Sequence, residues 1–238
     1  MADQMLPDVA EIFHSYSSLL STTPNPGGLL VFYGGLDRKS IAAMVAANVA
    51  GAASLVVDAE GSRAKQALRQ GVCDFVVNTL DEALRILKNE IRKQQPVSVS
   101  LVGDPVEVAA EMLERGVQPD LVIQKDSYSE EFLKRGAQVL PQSEIEEDSH
   151  AITWSVSQNA AKWLPLVDAI AMEILKDNTR VKWLQLAPRY LPKQLSRERY
   201  VRMTADEHAK FVALLRQHVQ SGEIAASVDV LCDGQPTH

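Results

Sequence analysis

Short apolar runs and helix-spaced stretches take turns along the first part of this chain. Leu29 to Phe32 is an unbroken apolar run that ends in Tyr33, Gly34 and Gly35. A helical stretch of small residues follows from Ser40 to Ala50, and Ala53 to Val57 make a second apolar run, closed by Asp58. Unbroken runs of this length between turn residues are how strands buried on both faces read. Asp74 to Val77 is a further short strand. Thr79, Leu80, Asp81 and Glu82 then form a T-x-x-E capping box that opens a helix reaching about Lys93. Val97 to Val102, Asp120 to Ile123 and Gln138 to Leu140 complete the strands. Helices from about Pro105 to Arg115 and around Glu130 to Arg135 lie between them. This alternation predicts an α/β fold, a mostly parallel sheet with helices on both faces.

The acidic run Glu144 to Asp148 breaks the pattern and reads as a surface linker. Beyond it, Trp163 to Lys176 and Arg180 to Ala187 carry apolar residues at helical spacing. Thr204 and Glu207 form a second capping box, for a helix ending at Gly222, and Ala226 to Leu231 reads as a last strand. The expected organisation is a domain over residues 1–148, with an N-terminal helix, and a smaller, mainly helical region over 149–238.

In open parallel sheets ligands sit outside the carboxyl ends of the strands, here near Gly34, Asp58, Gly103 and Gln124. Asp58 falls about twenty residues after the glycines, where an acid reaches a ribose hydroxyl in a dinucleotide site. The glycine-rich loop of such a site is missing, since Gly35 to Ala43 reads GLDRKSIAA.

A net charge of −7 argues against broad nucleic-acid binding, which needs a concentrated basic surface. No apolar run approaches the roughly 18 residues of a membrane span. Met1 to Asp8 carries acids rather than a basic segment and an apolar block, so no secretory signal is predicted and a cytoplasmic location is the default. The two cysteines, Cys73 and Cys232, have no CxxC or Cys/His spacing, and none of the five histidines has ligand spacing to another, so no metal site is predicted. His14, His150, His208 and His218 read as helix or linker surface residues.

Several longer segments resemble the urocanase (urocanate hydratase) family, from about Glu11 to Gly234 with an internal deletion. They are GAASLVVDAEGSR (Gly51 to Arg63), TLDEALRIL (Thr79 to Leu87) and EMLERGVQPDLV (Glu111 to Val122). A second block runs from Asp168 through NTRVKWLQLAPR to QSGEI, ending at Ile224. The resemblance implies a Rossmann-like domain and a homodimer. It also implies a tightly held NAD that acts as an electrophile toward urocanate in histidine catabolism. On the cofactor side it points to Gly34, Gly35, Asp58, Arg63, Asp104 and Lys125; Asp58 stands at the family's ribose-binding Glu and Arg63 at its Arg. On the catalytic side the candidates are Arg199, Tyr200 and Asp233.

The resemblance breaks at the places that carry the chemistry. The family's NAD loop GLGGMGGAQ falls on GLDRKSIAA. Its VTDQTSAH falls on VIQKDSYS (Val122 to Ser129), and its Asn and Ala beside the cofactor fall on Asp104 and Pro105. The catalytic FQGLPARICW falls on KQLSRERYVR (Lys193 to Arg202), which keeps Gln194 and Arg199 and puts Val201 at the cysteine. An isopropyl group can neither ionise nor add to a substrate. The family's IGRDH falls on Val230 to Gly234, and a segment around YGNN is skipped between Ser149 and Trp163.

The expectation is therefore a shortened urocanase relative without hydratase activity, binding a nucleotide or small anion, or acting through a protein partner. The alternative is an active NAD-dependent, urocanate hydratase-like lyase using Asp58, Arg63, Arg199, Tyr200 and Asp233. A conventional dehydrogenase is disfavoured by the missing G-x-G-x-x-G and the missing His/Asp pair.

Overall fold

The computed structural model describes residues 6–141 and 148–237. Met1 to Met5, Gln142 to Glu147 and His238 lie outside the described residues, and with them most of the acidic run expected to be a linker. The chain divides into two compact units, Met1–Ser143 with Tyr190–Pro192, and Glu144–Arg189 with Lys193–His238.

The first unit opens with α1 (Val9–Thr22) and continues as β1 (Leu30–Gly34), α2 (Arg38–Ala50), β2 (Ala53–Asp58), α3 (Gly61–Gln70), β3 (Phe75–Val77), α4 (Leu80–Arg92), β4 (Val97–Val102), α5 (Pro105–Glu114), β5 (Leu121–Val122), α6 (Glu130–Lys134) and β6 (Gln138–Val139). The strands form a six-stranded sheet in the order β3-β4-β2-β1-β5-β6, and every pairing is parallel. This is a mostly parallel, Rossmann-like sheet flanked by helices. The chain departs from β1 to β2 on one side and later returns to β5 on the other, so the topological switch lies between β1 and β5.

The local causes are plain in the residues. All of β2 is buried, which the unbroken run from Ala53 requires. Helix α2 is buried nearly all round; its small residues let it lie close to the sheet and to α1 at once. The capping box at Thr79 is formed, with Glu82 N–H donating to Thr79 Oγ1 at 3.3 Å. Phe32, Leu55, Val57, Leu87, Val99, Met112 and Phe132 belong to one core layer on a single face of the sheet.

The second unit contains β7 (Ser149–Val156), α7 (Ala160–Ile174), α8 (Asn178–Tyr190), β8 (Glu198–Thr204), α9 (Ala205–Gln220), β9 (Val228–Cys232) and β10 (Gln235–Pro236). The expected helices are present, and with them stands an antiparallel sheet in the order β10-β9-β7-β8. Only its β9 was foreseen. Its central strand, β7, packs Trp154 against Phe211 of α9, with ring centroids 5.2 Å apart. The second capping box forms at Thr204 and Glu207, and Gly222 follows the helix end with φ +82°, the left-handed conformation that glycine adopts without strain.

Candidate functional site

Gly34, Gly35, Asp58, Asp104 and Lys125 all stand at the carboxyl ends of strands in the parallel sheet, and Arg63 follows on α3. Asp58, the last residue of β2, is almost fully buried. It accepts from Leu36 N–H at 2.6 Å and from Glu60 N–H at 2.7 Å. Arg63 Nε lies 3.3 Å from Asp58 and 3.2 Å from Glu60, and is aligned for a hydrogen bond to neither. Asp58 and Arg63 are thus together, and the Asp58 carboxylate ties down the turn between β1 and α2. A buried carboxylate demands such donors, because leaving it unpaired in a low-dielectric interior is costly.

The turn itself, Gly34 to Ser40, is bonded inward. Gly35 N–H donates to Val57 O at 2.7 Å. Asp37 is the N-cap of α2 and accepts from Ser40 N–H at 2.7 Å. A helix N-terminus attracts anions through free N–H groups and its dipole; here the first turn already holds a carboxylate. Arg38 turns away toward the N-terminal helix, 2.6 Å from Glu11, and donates to Leu6 O at 2.9 Å. Partial burial works to raise the Glu11 carboxyl, but the hydrogen bonds from Arg38 and Asp8 outweigh it and the group sits below the usual range.

Tyr128 is the residue that the sequence reading passed over. It lies on the loop between β5 and α6 and packs edge-on against Phe32 of β1, centroids 5.9 Å apart. Its ring covers Gly34 so closely that a Cβ there would stand 2.5 Å from Tyr128 Cζ, well inside van der Waals contact. Gly34 is therefore required by a close approach rather than by backbone torsion. The crevice beside β1, where a parallel sheet of this topology offers a ligand site, holds this ring. Burial, and then the neighbouring Asp126, push the phenol up to about 12, while a hydrogen bond from the Gly34 backbone works the other way. The loop is braced by Ser129, whose hydroxyl donates to Gln124 O at 3.0 Å and accepts from Asp126 N–H at 2.8 Å. The signal was present in VIQKDSYS, where a large aromatic follows the fifth strand and a glycine ends the first.

Asp104 caps α5, accepting from Val106 N–H at 2.9 Å and Glu107 N–H at 3.1 Å, with Pro105 in the first turn. Lys125 is exposed on the β5–α6 loop.

In the second unit Arg199, Tyr200 and Val201 lie side by side on β8 and are buried. Arg199 Nε donates to Asp168 Oδ2 at 2.8 Å, and Trp154 Nε1 donates to Asp168 Oδ1 at 2.9 Å. Burial raises the Asp168 carboxyl despite the nearby guanidinium. Tyr200 is the next residue along and so projects to the opposite face of the strand; its backbone oxygen accepts from Trp183 Nε1 at 2.7 Å. Val201 pairs with Ile152 in mid-strand. Asp233 lies in the β9–β10 turn, accepts from Ala151 N–H at 2.8 Å and is 2.7 Å from His150 Nδ1. The His150 hydrogen bond, and then the Ala151 N–H, hold its carboxyl low.

A parallel sheet with a switch beside β1, an acid closing β2 and a helix opening after β1 define a Rossmann-like domain. Residues 11–133, just over half of the 238, match the family model described as the urocanase Rossmann-like domain. The chain belongs to the urocanase family.

Proposed function

We propose that this urocanase-family protein does not hydrate urocanate and acts as a non-catalytic scaffold, through association with protein, its own second copy being the first partner to test. The observation that carries this reading is the Tyr128 ring seated on Gly34. A pyrophosphate approaching the turn would need to displace that ring, and would meet the Asp37 carboxylate at the start of α2. The groups that a dinucleotide would use are engaged within the protein: Asp58 by Leu36 and Glu60, Asp104 by its own helix. The residues present do not fit NAD in the family's manner.

The second unit supports the same reading. Val201 offers no nucleophile, and Arg199 is held by Asp168 inside the unit. Loss of urocanate absorbance tests the proposal: no turnover above the uncatalysed rate is expected. Turnover that disappears in Arg199→Lys, a variant that keeps the charge and so the buried pair, would overturn it.

A further inference from the structure

The antiparallel sheet brings together a set of side chains that sequence spacing kept apart. His150 enters on β7, while Cys232 ends β9 and Asp233 begins the turn into β10. Their ligand atoms, one from each residue, all lie within 4.8 Å of one another. His150 Nδ1 is 2.7 Å from Asp233 Oδ2, and Cys232 Sγ is 3.9 Å from the same oxygen.

Their framework is fixed by the backbone. Cys232 pairs both with Ile152 of β7 and with Gln235 of β10. Asp233 and Gly234 have φ of +48° and +78°, the positive values that a two-residue hairpin turn needs at both positions. Asp233 N–H donates to Ala151 O at 2.8 Å, and Ala151 N–H donates back to Asp233 Oδ1 at 2.8 Å. That exchange immobilises the carboxylate and leaves Oδ2 turned toward the imidazole and the thiol.

We infer that His150 Nδ1, Cys232 Sγ and Asp233 Oδ2 form a binding site for a single zinc-type divalent cation. The donor set of one nitrogen, one sulfur and one oxygen suits a borderline cation rather than magnesium or calcium, which take oxygen. Tetrahedral bonds of about 2.0 to 2.3 Å place neighbouring ligand atoms about 3.3 to 3.6 Å apart. The thiol-to-carboxylate distance must close by a few tenths of an ångström, the imidazole-to-carboxylate distance must open by somewhat more, and the imidazole and thiol, within 4.8 Å of each other, must settle into the same range. Such shifts are within reach of side-chain rotation, and the partial exposure of His150 and Asp233 gives the ion a path in.

On binding, the Cys232 S–H bond breaks, the sulfur bonds the cation, and the proton leaves to solvent. Neutral His150 carries its remaining proton on Nε2. One thiolate and one carboxylate then balance the two positive charges. Without a cation, partial burial and the adjacent Asp233 hold the Cys232 thiol up; a bound ion reverses that influence. His208 of α9 is near enough to be influenced by His150 and Asp233, and Arg202 is in electrostatic reach of Asp233.

This site is independent of the reading of the Rossmann-like unit. The test uses the full untagged chain, reduced and stripped with a chelator. Zinc is titrated by calorimetry, and cobalt is followed by absorption. One zinc per chain at micromolar affinity or tighter is expected, with a thiolate-to-cobalt charge-transfer band. Cys232→Ser should remove the band, and His150→Gln should weaken zinc binding by at least about tenfold. A band that survives in Cys232→Ser, zinc affinity unchanged in His150→Gln, or no stoichiometric binding would overturn the site.

Discussion

Two buried carboxylates, one in each unit, show how differently the two regions satisfy a buried charge. Asp58 closes β2 at the place where the family resemblance implies a ribose-binding acid, and its oxygens accept from two backbone N–H groups, those of Leu36 and Glu60. Asp168 is instead met by side chains, those of Arg199 and Trp154. The first ties down a backbone turn, and the second links helix α7 to strands β7 and β8 through side chains. Residue identity alone does not tell the two apart. Asp58 and Arg199 are both candidates by sequence, and both are buried and engaged by partners within their own unit.

Breaking the buried pair should give the largest effect. Arg199→Ala leaves Asp168 buried without its cation and should cost about 3–5 kcal/mol of stability, read by urea denaturation. The double variant Arg199→Met with Asp168→Asn removes both charges, keeps an acceptor for Trp154 and should recover most of that loss. Asp58→Ala strands the Leu36 and Glu60 N–H groups and should cost about 2–4 kcal/mol by the same measurement. A cost well under about 1 kcal/mol would mean that water replaces the carboxylate, and that the turn is more open than its bonding suggests.

The contact between Gly34 and Tyr128 can be isolated. Gly34→Ala forces the new methyl against the ring and should cost about 1–3 kcal/mol. In a Tyr128→Ala background the same change should cost much less, so a double-mutant cycle should give clear coupling. Additive effects would separate the glycine from the ring.

The smallest effect is on pH dependence. Burial tends to raise the Glu207 carboxyl, but Arg180 and the Thr204 N–H outweigh it and the group sits low. A depressed carboxyl gives stability that is complete above the ordinary glutamate value of about 4.3 and is lost as pH falls through its lower folded value. Wild type should therefore outlast Glu207→Gln at neutral pH, and the gap should narrow in acid.

Much of the first unit was legible in the sequence because parallel strands read as unbroken apolar runs. Ala53 to Asp58 needed no context, and the capping box at Thr79 fixed a helix start to the residue. The second unit was harder. Strand β8 hides in KQLSRERYVR, since charged residues interrupt its apolar positions; in the fold Arg199 finds Asp168, and Arg202 Nε donates to Ser149 Oγ at 2.8 Å. Strand β7 does alternate, with Ile152, Trp154 and Val156 buried, but comparison with the family treats this stretch as the edge of a deletion. His150 reads as a linker residue for the same reason. Tyr128 is visible only as a large aromatic after the fifth strand, and that signal does not say that its ring will rest on a glycine about ninety residues earlier.

The most direct measurement is of NAD itself: denature the purified protein and look for released dinucleotide by mass spectrometry, then titrate NAD into the protein by calorimetry. The account predicts no carried NAD and no binding at micromolar concentrations. Carried NAD, or binding at micromolar affinity or tighter, would mean that Tyr128 and the Asp37 turn yield to a pyrophosphate, and would contradict it.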